Sequence, residues 1–176
     1  MSELKFLSPI TAEQLTTLND ALTLTDVGAA TKILVRTGSE TAAATYLSTP
    51  FGCSREIIDG VLVCGTRPDE WTLYAAPEMS NEVIETIPEE GFVTVLDITH
   101  GRAMIRISGP CSSLALAKVC NIDFADDMIP DGAVFSAAAF CRHAATFYYS
   151  GFLSRRIFFY NFLFTIVITP SRRFFL

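Results

Sequence analysis

The sequence contains few of the residues and motifs that build metal, nucleotide or thiol sites. It has two histidines and one tryptophan in 176 residues, and charged residues make up 18% of the chain. No GxGxxG or GxxxxGK[ST] sequence is present, so neither a dinucleotide fingerprint nor a P-loop is recognisable. The five cysteines follow neither CxxC nor zinc-type spacing. Because they lie in apolar runs, they predict small hydrophobic side chains in a reducing, cytoplasmic location.

Positive charge is also scarce. The formal net charge is −6, and nucleic-acid affinity comes largely from Lys and Arg, so nucleic acid is not expected as a partner. The first nine residues lack the apolar stretch and cleavage site of a signal peptide. The most membrane-like run, 157–169, is shorter than the ~20 residues that a bilayer-spanning helix needs. It predicts a buried strand, and no membrane partner is expected.

The chain repeats a pattern, and half of its residues are apolar, enough to bury a core. Asp26 and Asp97 are 71 positions apart, and so are Gly38 and Gly109, with an apolar segment between the aspartate and the glycine of each copy. A segment of helical character follows each glycine. Each copy is therefore predicted to run strand, tight turn, helix.

Later elements extend this pattern to a known unit. Two β-rich runs follow each predicted helix, and a further helix and strand close the first copy. The helices are expected over 39–47, 80–87 and 110–120, and the strands over 60–66, 71–76, 92–98, 102–108, 133–149 and 157–169. The first copy then has the order βαββαβ of a ferredoxin-like unit.

We therefore predict an α/β fold of the α+β type, built from two consecutive ferredoxin-like units. The first unit is expected over 24–98 and the second over 99–176, with the second incomplete at its C-terminal end. An extension over 1–23 is expected to carry a short helix, because Thr11 to Gln14 matches a capping box. All parts are expected to form one compact domain.

Local signals predict where three helices begin. Ser39 and Ser80 are predicted N-caps, and Met79 is expected to pack on Ile84 as a hydrophobic staple. Gly109-Pro110 is expected to open the third helix, with the proline at the first helical position.

The segment 95–110, VLDITHGRAMIRISGP, resembles the central signature of the sarcosine oxidase γ subunit family. Four other segments are similar to parts of that family, so that the resemblance covers about residues 22–150: 24–38, 67–73, 117–123 and 128–133. Residues 150–156 and the short segment after Thr169 depart from the family pattern.

The resemblance implies a fold and a function. The family is related to the folate-binding aminomethyltransferase, or T protein, of glycine cleavage, in which a duplicated unit of this kind is the expected core. Heterotetrameric sarcosine oxidase converts sarcosine to glycine, makes hydrogen peroxide and passes the one-carbon unit to tetrahydrofolate. FAD, FMN, NAD, zinc and tetrahydrofolate are expected elsewhere in the complex. None is expected on this chain, whose implied partners are the other subunits.

Several polar residues are candidates for catalytic or binding groups. His100, between Asp97 and Arg102, fits either an oriented base or a turn residue bonded to backbone, and the turn is favoured. His143 and Cys141 alternate onto one strand face, but a metal or thiol site is disfavoured because the chain has only two histidines. Asp26 and Asp97 fit either an acid/base pair or caps and braces of matching turns, and the second is favoured. The catalytic aspartate of the T protein has no recognisable counterpart, so no catalytic, cofactor or metal residue is predicted.

Three further features allow both structural and binding interpretations. Gly109-Pro110 can open either an ordinary helix or an anion site, and the first is favoured. The aromatic residues of 158–164 fit a central buried strand or a docking surface for another subunit. The predicted hairpin tip, Arg67 to Trp71, fits a solvated turn or a partner contact.

The leading hypothesis is a non-catalytic γ subunit that acts in assembly and stability of a sarcosine oxidase. One alternative is a stand-alone, folate-dependent aminomethyltransferase-like protein, which is disfavoured because a complete T protein contains further domains. The other is a ligand-sensing module built from ferredoxin-like units.

Overall fold

The computed structural model describes residues 21–58, 60–120, 122–124, 128–130, 132–139, 143–152 and 159–166. These residues form two five-stranded antiparallel sheets with three short helices. The strands are β1 (Thr23–Asp26), β2 (Thr31–Thr37), β3 (Ser54–Ile58), β4 (Val61–Arg67), β5 (Glu70–Ala75), β6 (Val93–Asp97), β7 (Ala103–Ser108), β8 (Val134–Ala139), β9 (His143–Phe152) and β10 (Phe159–Ile166). The helices are α1 (Ala42–Leu47), α2 (Ser80–Glu85) and α3 (Ser112–Ala117), and a 3-10 turn spans Thr99–Gly101.

The first sheet has the strand order β3-β4-β5-β2-β6. If β3 is set aside, this is the strand order of a ferredoxin-like unit. Its four strands are β2, β4, β5 and β6 in chain order, and its two helices are α1 and α2. The hairpin of β4 and β5 turns at Pro68-Asp69, as the turn residues predict. The predicted α+β fold with ferredoxin-like units is confirmed, and β3 is an added edge strand.

The second sheet has the order β1-β7-β10-β9-β8 and repeats the first sheet position by position. β7 takes the place of β2, and β10 and β9 take the places of β5 and β4. At the place of β6 stands β1, which pairs antiparallel with β7. The fourth strand of the second unit thus comes from the start of the chain.

This pairing corrects one predicted boundary. Residues 24–26 were assigned to the first unit, but β1 lies in the second sheet, with Leu24 opposite Ile107. Leu24 packs in the apolar cluster under α3, and hydrophobic burial rather than chain order decides where the strand pairs. The described part of the first sheet therefore begins at β2.

Three apolar clusters hold these layers. One lies between the first sheet and its helices and contains Ile33, Val35 and Leu73 with Leu47 of α1 and Val83 of α2. A second joins β7 to α3 and adjoining loops. The third joins the other face of the first sheet to the second sheet, through the buried residues Cys64, Tyr74, Met104 and Val134.

Two predicted N-caps are wrong. Thr41, not Ser39, caps α1, since its Oγ1 accepts from the Ala44 N–H at 3.2 Å, whereas the Ser39 hydroxyl donates to Glu40. The turn that joins Thr41 N to the Gly38 carbonyl delays the helix start. At α2 the predicted N-cap, Ser80, is instead the first residue of the helix, and Met79 occupies the N-cap with no side-chain cap bond.

The third helix begins later than predicted. Its N-cap is Cys111, so Pro110 precedes the helix instead of occupying its first position. Met79 and Ile84 both pack on the first cluster. Because Met79 is itself the N-cap of α2, the pair does not have the positions of the predicted hydrophobic staple, which uses the residue before the cap.

The offset of 71 positions relates equivalent residues at the aspartate turns and at the glycine turns, but not on the strand between them. At the glycine turns, Thr41 Oγ1 donates to Gly38 O at 3.0 Å and Ser112 Oγ donates to Gly109 O at 2.8 Å, again 71 positions apart. On the strands, however, Ile33 and Val35 face helices, and their counterparts are Ile105 and Ile107. These pairs are 72 positions apart, because the turn before β7 is one residue longer than the turn before β2.

Several predictions fall wholly or partly outside the described residues: the N-terminal helix, a closing helix near Thr169, Cys141 and Phe158. The predicted run 133–149 contains β8 and most of β9. The predicted strand over 157–169 is confirmed as β10, which lies at the centre of the second sheet.

Candidate functional site

Two matching aspartate turns connect the sheets. Asp26 Oδ1 accepts from the Gly28 N–H and Asp97 Oδ1 accepts from the Thr99 N–H, each at 2.8 Å. Both carboxylates thus close a turn of the same type on their own backbone. The interpretation of these residues as braces of equivalent turns is confirmed.

A buried lysine ties the two turns together. Lys32 on β2 is 0% exposed, and its ammonium donates to Gly28 O at 2.6 Å, Ala30 O at 2.9 Å and Thr99 O at 2.9 Å. Gly28 and Ala30 belong to the turn after Asp26, and Thr99 belongs to the turn after Asp97. The three donors of the ammonium are therefore matched by three backbone carbonyls.

Burial and the neighbouring carboxylates shift the pKa of Lys32 in opposite directions. Burial lowers the pKa of Lys32 below its ordinary value, while the carboxylates of Asp26 and Asp97 act to raise it. Burial acts to raise the pKa of Asp97, but bonds from Ser80 and Thr99 and the charge of His100 bring it below the ordinary value. This cluster is a structural clamp, since the Lys32 ammonium is fully engaged by backbone.

The hairpin tip of the first sheet is half buried. Glu70 is 7% exposed and Trp71 is 6% exposed, whereas Arg67 and Asp69 are exposed. Glu70 Oε2 lies 2.7 Å from Arg36 Nη2, and the Trp71 indole N–H donates to the Thr49 carbonyl at 2.8 Å. The prediction of a wholly solvated tip is wrong for Glu70 and Trp71, because each has a partner outside the hairpin. Glu70 also contacts Thr66 and Arg67 within the hairpin.

An open groove lies beside this tip, on the face of β2 and β6 that is turned away from α1 and α2. Its volume is about 360 Å³. Phe92, immediately before β6, is 82% exposed and Leu96 on β6 is 50% exposed. The residues around them on the groove wall include Leu34, Arg36, Asp69 and Thr94. Exposed apolar side chains in a concave site are typical of surfaces that bind a ligand or another protein.

The other candidate residues from the sequence lie at separate positions in the fold. His100 is exposed in the 3-10 turn and contributes charge near Asp97. Gly109 directly follows β7 and precedes α3, a helix of six residues. His143 begins β9. Within the described residues, no group of three or more His, Cys, Asp or Glu side chains is placed to hold a metal ion.

The cysteines and helices of the described segments add two observations. Cys53, Cys64, Cys111 and Cys120 are all free thiols, and burial raises the pKa of the Cys64 thiol. Among these same segments, no helix is long and apolar enough to cross a membrane.

Sequence reasoning missed both the lysine clamp and the groove. Lys32 directly before the apolar run Ile33 to Val35 was a usable signal, because Lys is almost never fully buried unless paired. The sequence around Phe92 and Leu96 did not indicate the groove. The pattern of a strand over 92–98 predicts that one face is buried, but it does not show which face stays open to solvent.

No protein-family model and no curated protein sequence matches the chain. Among solved structures, the chain is similar to heterotetrameric sarcosine oxidase from Corynebacterium sp. U-96, determined in complex with pyrrole 2-carboxylate. The TM-score is 0.68, and the match covers 85% of this chain and 78% of that chain at 18% identity. At this identity the likeness concerns the fold. The chain has a mixed α/β fold related to that of a sarcosine oxidase chain.

Proposed function

We propose that this chain is the non-catalytic γ-type subunit of a hetero-oligomeric sarcosine oxidase and acts in assembly and stability of the complex. The observation that carries the proposal is the fold likeness to a heterotetrameric sarcosine oxidase over 85% of the chain. The resemblance of segment 95–110 to the γ subunit signature adds support from the sequence.

The described chemistry is in keeping with an accessory role. Lys32 is the most deeply buried charged group among the described residues, and its ammonium donates to three backbone carbonyls. The groove instead presents two exposed apolar side chains, Phe92 and Leu96, which suit contact with another protein. The flavins, NAD, zinc and tetrahydrofolate of the complex are then held by its other chains, and the assembled enzyme works in the cytoplasm.

The proposal is tested by co-expressing the tagged chain with the other oxidase subunits from the same source. We expect the larger, flavin-containing chains to co-purify with it. Peroxide formation from sarcosine is then compared for the chain alone, the other subunits alone and the full set. Turnover by the chain alone would contradict the non-catalytic role, and equal yield and activity of the other subunits without it would remove the supporting role.

A further inference from the structure

We infer that the outer edge of β6, together with the groove, binds an extended segment of a partner subunit, which adds a strand to the first sheet. The segment is expected to carry alternating apolar side chains and at least one Lys or Arg. This inference rests on the proposed function, because it assigns that subunit contact to a defined surface.

The first observation is that β6 has an open edge. It ends the strand order of the first sheet and pairs with β2, and no second strand pairs with it in the described part of the chain. An open edge presents backbone N–H and C=O groups that another strand can pair with. Addition of an extended peptide to such an edge is a common mode of protein recognition.

The second observation is the contrast between the two edges of the same sheet. β3, at the opposite edge, has the sequence SREII, with exposed Arg55 and Glu56 and a break in register between Glu56 and Ile58. Charges and bulges are devices that keep edge strands from pairing. β6 has the sequence VTVLD, which carries no charge before its last residue and pairs with β2 in continuous register. Only β3 of these two edges is protected.

The third observation concerns side chains along the open edge. Phe92, Thr94 and Leu96 are spaced by two residues, so their side chains line one face, as the groove shows. Phe92 and Leu96 are 82% and 50% exposed. A segment pairing with β6 would place its own alternate side chains beside them and remove this apolar surface from water.

Charge identifies the occupant. Asp69 lines the groove, and Glu89 and Glu90 are exposed just before Phe92 in the chain. The Arg36 guanidinium, also in the groove, is already paired with Glu70 at 2.7 Å. The rim is therefore acidic and suits a basic segment. A second copy of β6 would bring the same acidic residues, Glu89, Glu90 and Asp97, to this edge without a compensating basic group on the strand, which like-charge repulsion disfavours.

The test uses the full chain and the co-expressed larger subunits. Phe92→Lys and Leu96→Lys place a positive charge at the groove, and Ile58→Lys is the matched control on β3, where Ile58 is 42% exposed. We expect each groove variant to weaken co-purification and the measured affinity by at least about tenfold. Ile58→Lys should leave affinity unchanged. All three should keep the thermal midpoint of the free chain, since the replaced side chains are exposed.

Hydrogen exchange gives a second readout that depends on backbone pairing. Amides of 93–97 should exchange more slowly in the complex than in the free chain, while those of β3 should not change. If the larger subunits bind wild type and both groove variants equally, with no added protection of β6, this inference is wrong and the proposed function stands. If wild type captures none of those subunits, both fail. A wild-type homodimer that Leu96→Lys dissociates would show that the occupant is a second copy, which also contradicts the inference.

Discussion

The two glycine turns occupy the same place in the repeat but differ in what surrounds them. Gly38 and Gly109 each follow a strand, and each carbonyl accepts from the hydroxyl three residues later. A Cβ added at Gly38 would meet nothing within 4 Å. At Gly109, where φ is +112°, it would lie 2.5 Å from the carbonyl oxygen of Ala21. Local sequence thus repeats the turn, and tertiary contact makes glycine necessary in one copy only.

The strand that enters each turn explains this difference. The longer turn before β7 moves that strand by one residue, so Gly109 takes the position that Thr37 has on β2. Thr37 Oγ1 reaches the carbonyl of Phe92 at 3.1 Å, and Gly109 approaches Ala21, which is 71 positions before Phe92. The first copy thus contacts the neighbouring edge segment through the Thr37 hydroxyl. The second copy contacts its edge segment through the close approach of the Gly109 backbone.

The largest expected effect comes from Gly109→Ala. The clash with Ala21 and the positive φ should lower the free energy of unfolding by at least about 3 kcal/mol. Gly38→Ala should have a free energy of unfolding within about 0.5 kcal/mol of that of wild type. Chemical denaturation of both variants measures the difference. Similar losses at the two glycines would mean that the close approach to Ala21 does not distinguish the copies. His100→Ala should also cost less than Gly109→Ala, because His100 is exposed.

How far the fold was predictable follows from the same residues. The aspartate turns, the glycine turns and the position of the turn between β4 and β5 depend on neighbours in sequence, so local spacing predicted them. The burial of Glu70 and Trp71 at the hairpin tip depends on partners distant in sequence and was not predicted. The place of β1 in the second sheet depends on where Leu24 buries its side chain, a long-range choice that spacing does not encode. The groove was not predictable for a similar reason, because its openness depends on what the whole sheet leaves uncovered.

The next expected effect concerns a residue that has no charged equivalent in the second copy. The counterpart of Lys32 on β7 is Met104, 72 positions later, and the Lys32 ammonium serves three carbonyls. Lys32→Met should keep most of the apolar stem but leave those carbonyls without their donor, at a cost of about 3 kcal/mol. Lys118→Met, at an exposed position, is the control and should cost less than about 0.5 kcal/mol. Equal stability of the two variants would contradict the clamp.

A smaller effect should separate the helix starts. Thr41 caps α1 through the Ala44 N–H, while α3 begins with no side-chain cap bond. Thr41→Ala should therefore cost about 1 kcal/mol in unfolding free energy. Ser39→Ala is the matched control and should be near neutral, since the Ser39 hydroxyl bonds only Glu40 among the contacts described. A larger loss at Ser39 than at Thr41 would restore the cap that the sequence predicted.

The smallest effect concerns the charge of the second aspartate turn. Because the pKa of Asp97 is lowered in the fold, its ionisation stabilises the folded state fully above the ordinary pKa near 3.8. That contribution is lost as pH falls from there through the folded-state pKa. Asp97→Asn keeps an acceptor for the Thr99 N–H but removes the charge. Since Asp97 is exposed, solvent screening should limit the loss of unfolding free energy in Asp97→Asn at pH 7 to less than about 1 kcal/mol.

Denaturation of wild type, Asp97→Asn and Asp97→Ala from neutral pH to about pH 3 separates charge from turn geometry. The gap between wild type and Asp97→Asn should narrow below pH 3.8, where the wild-type carboxylate begins to lose its charge. Asp97→Ala should show an added loss that persists at low pH, because alanine offers no acceptor to the turn. A gap to Asp97→Asn that stays constant over this range would mean that the carboxylate acts only as a hydrogen-bond acceptor, so that its charge adds nothing to the brace.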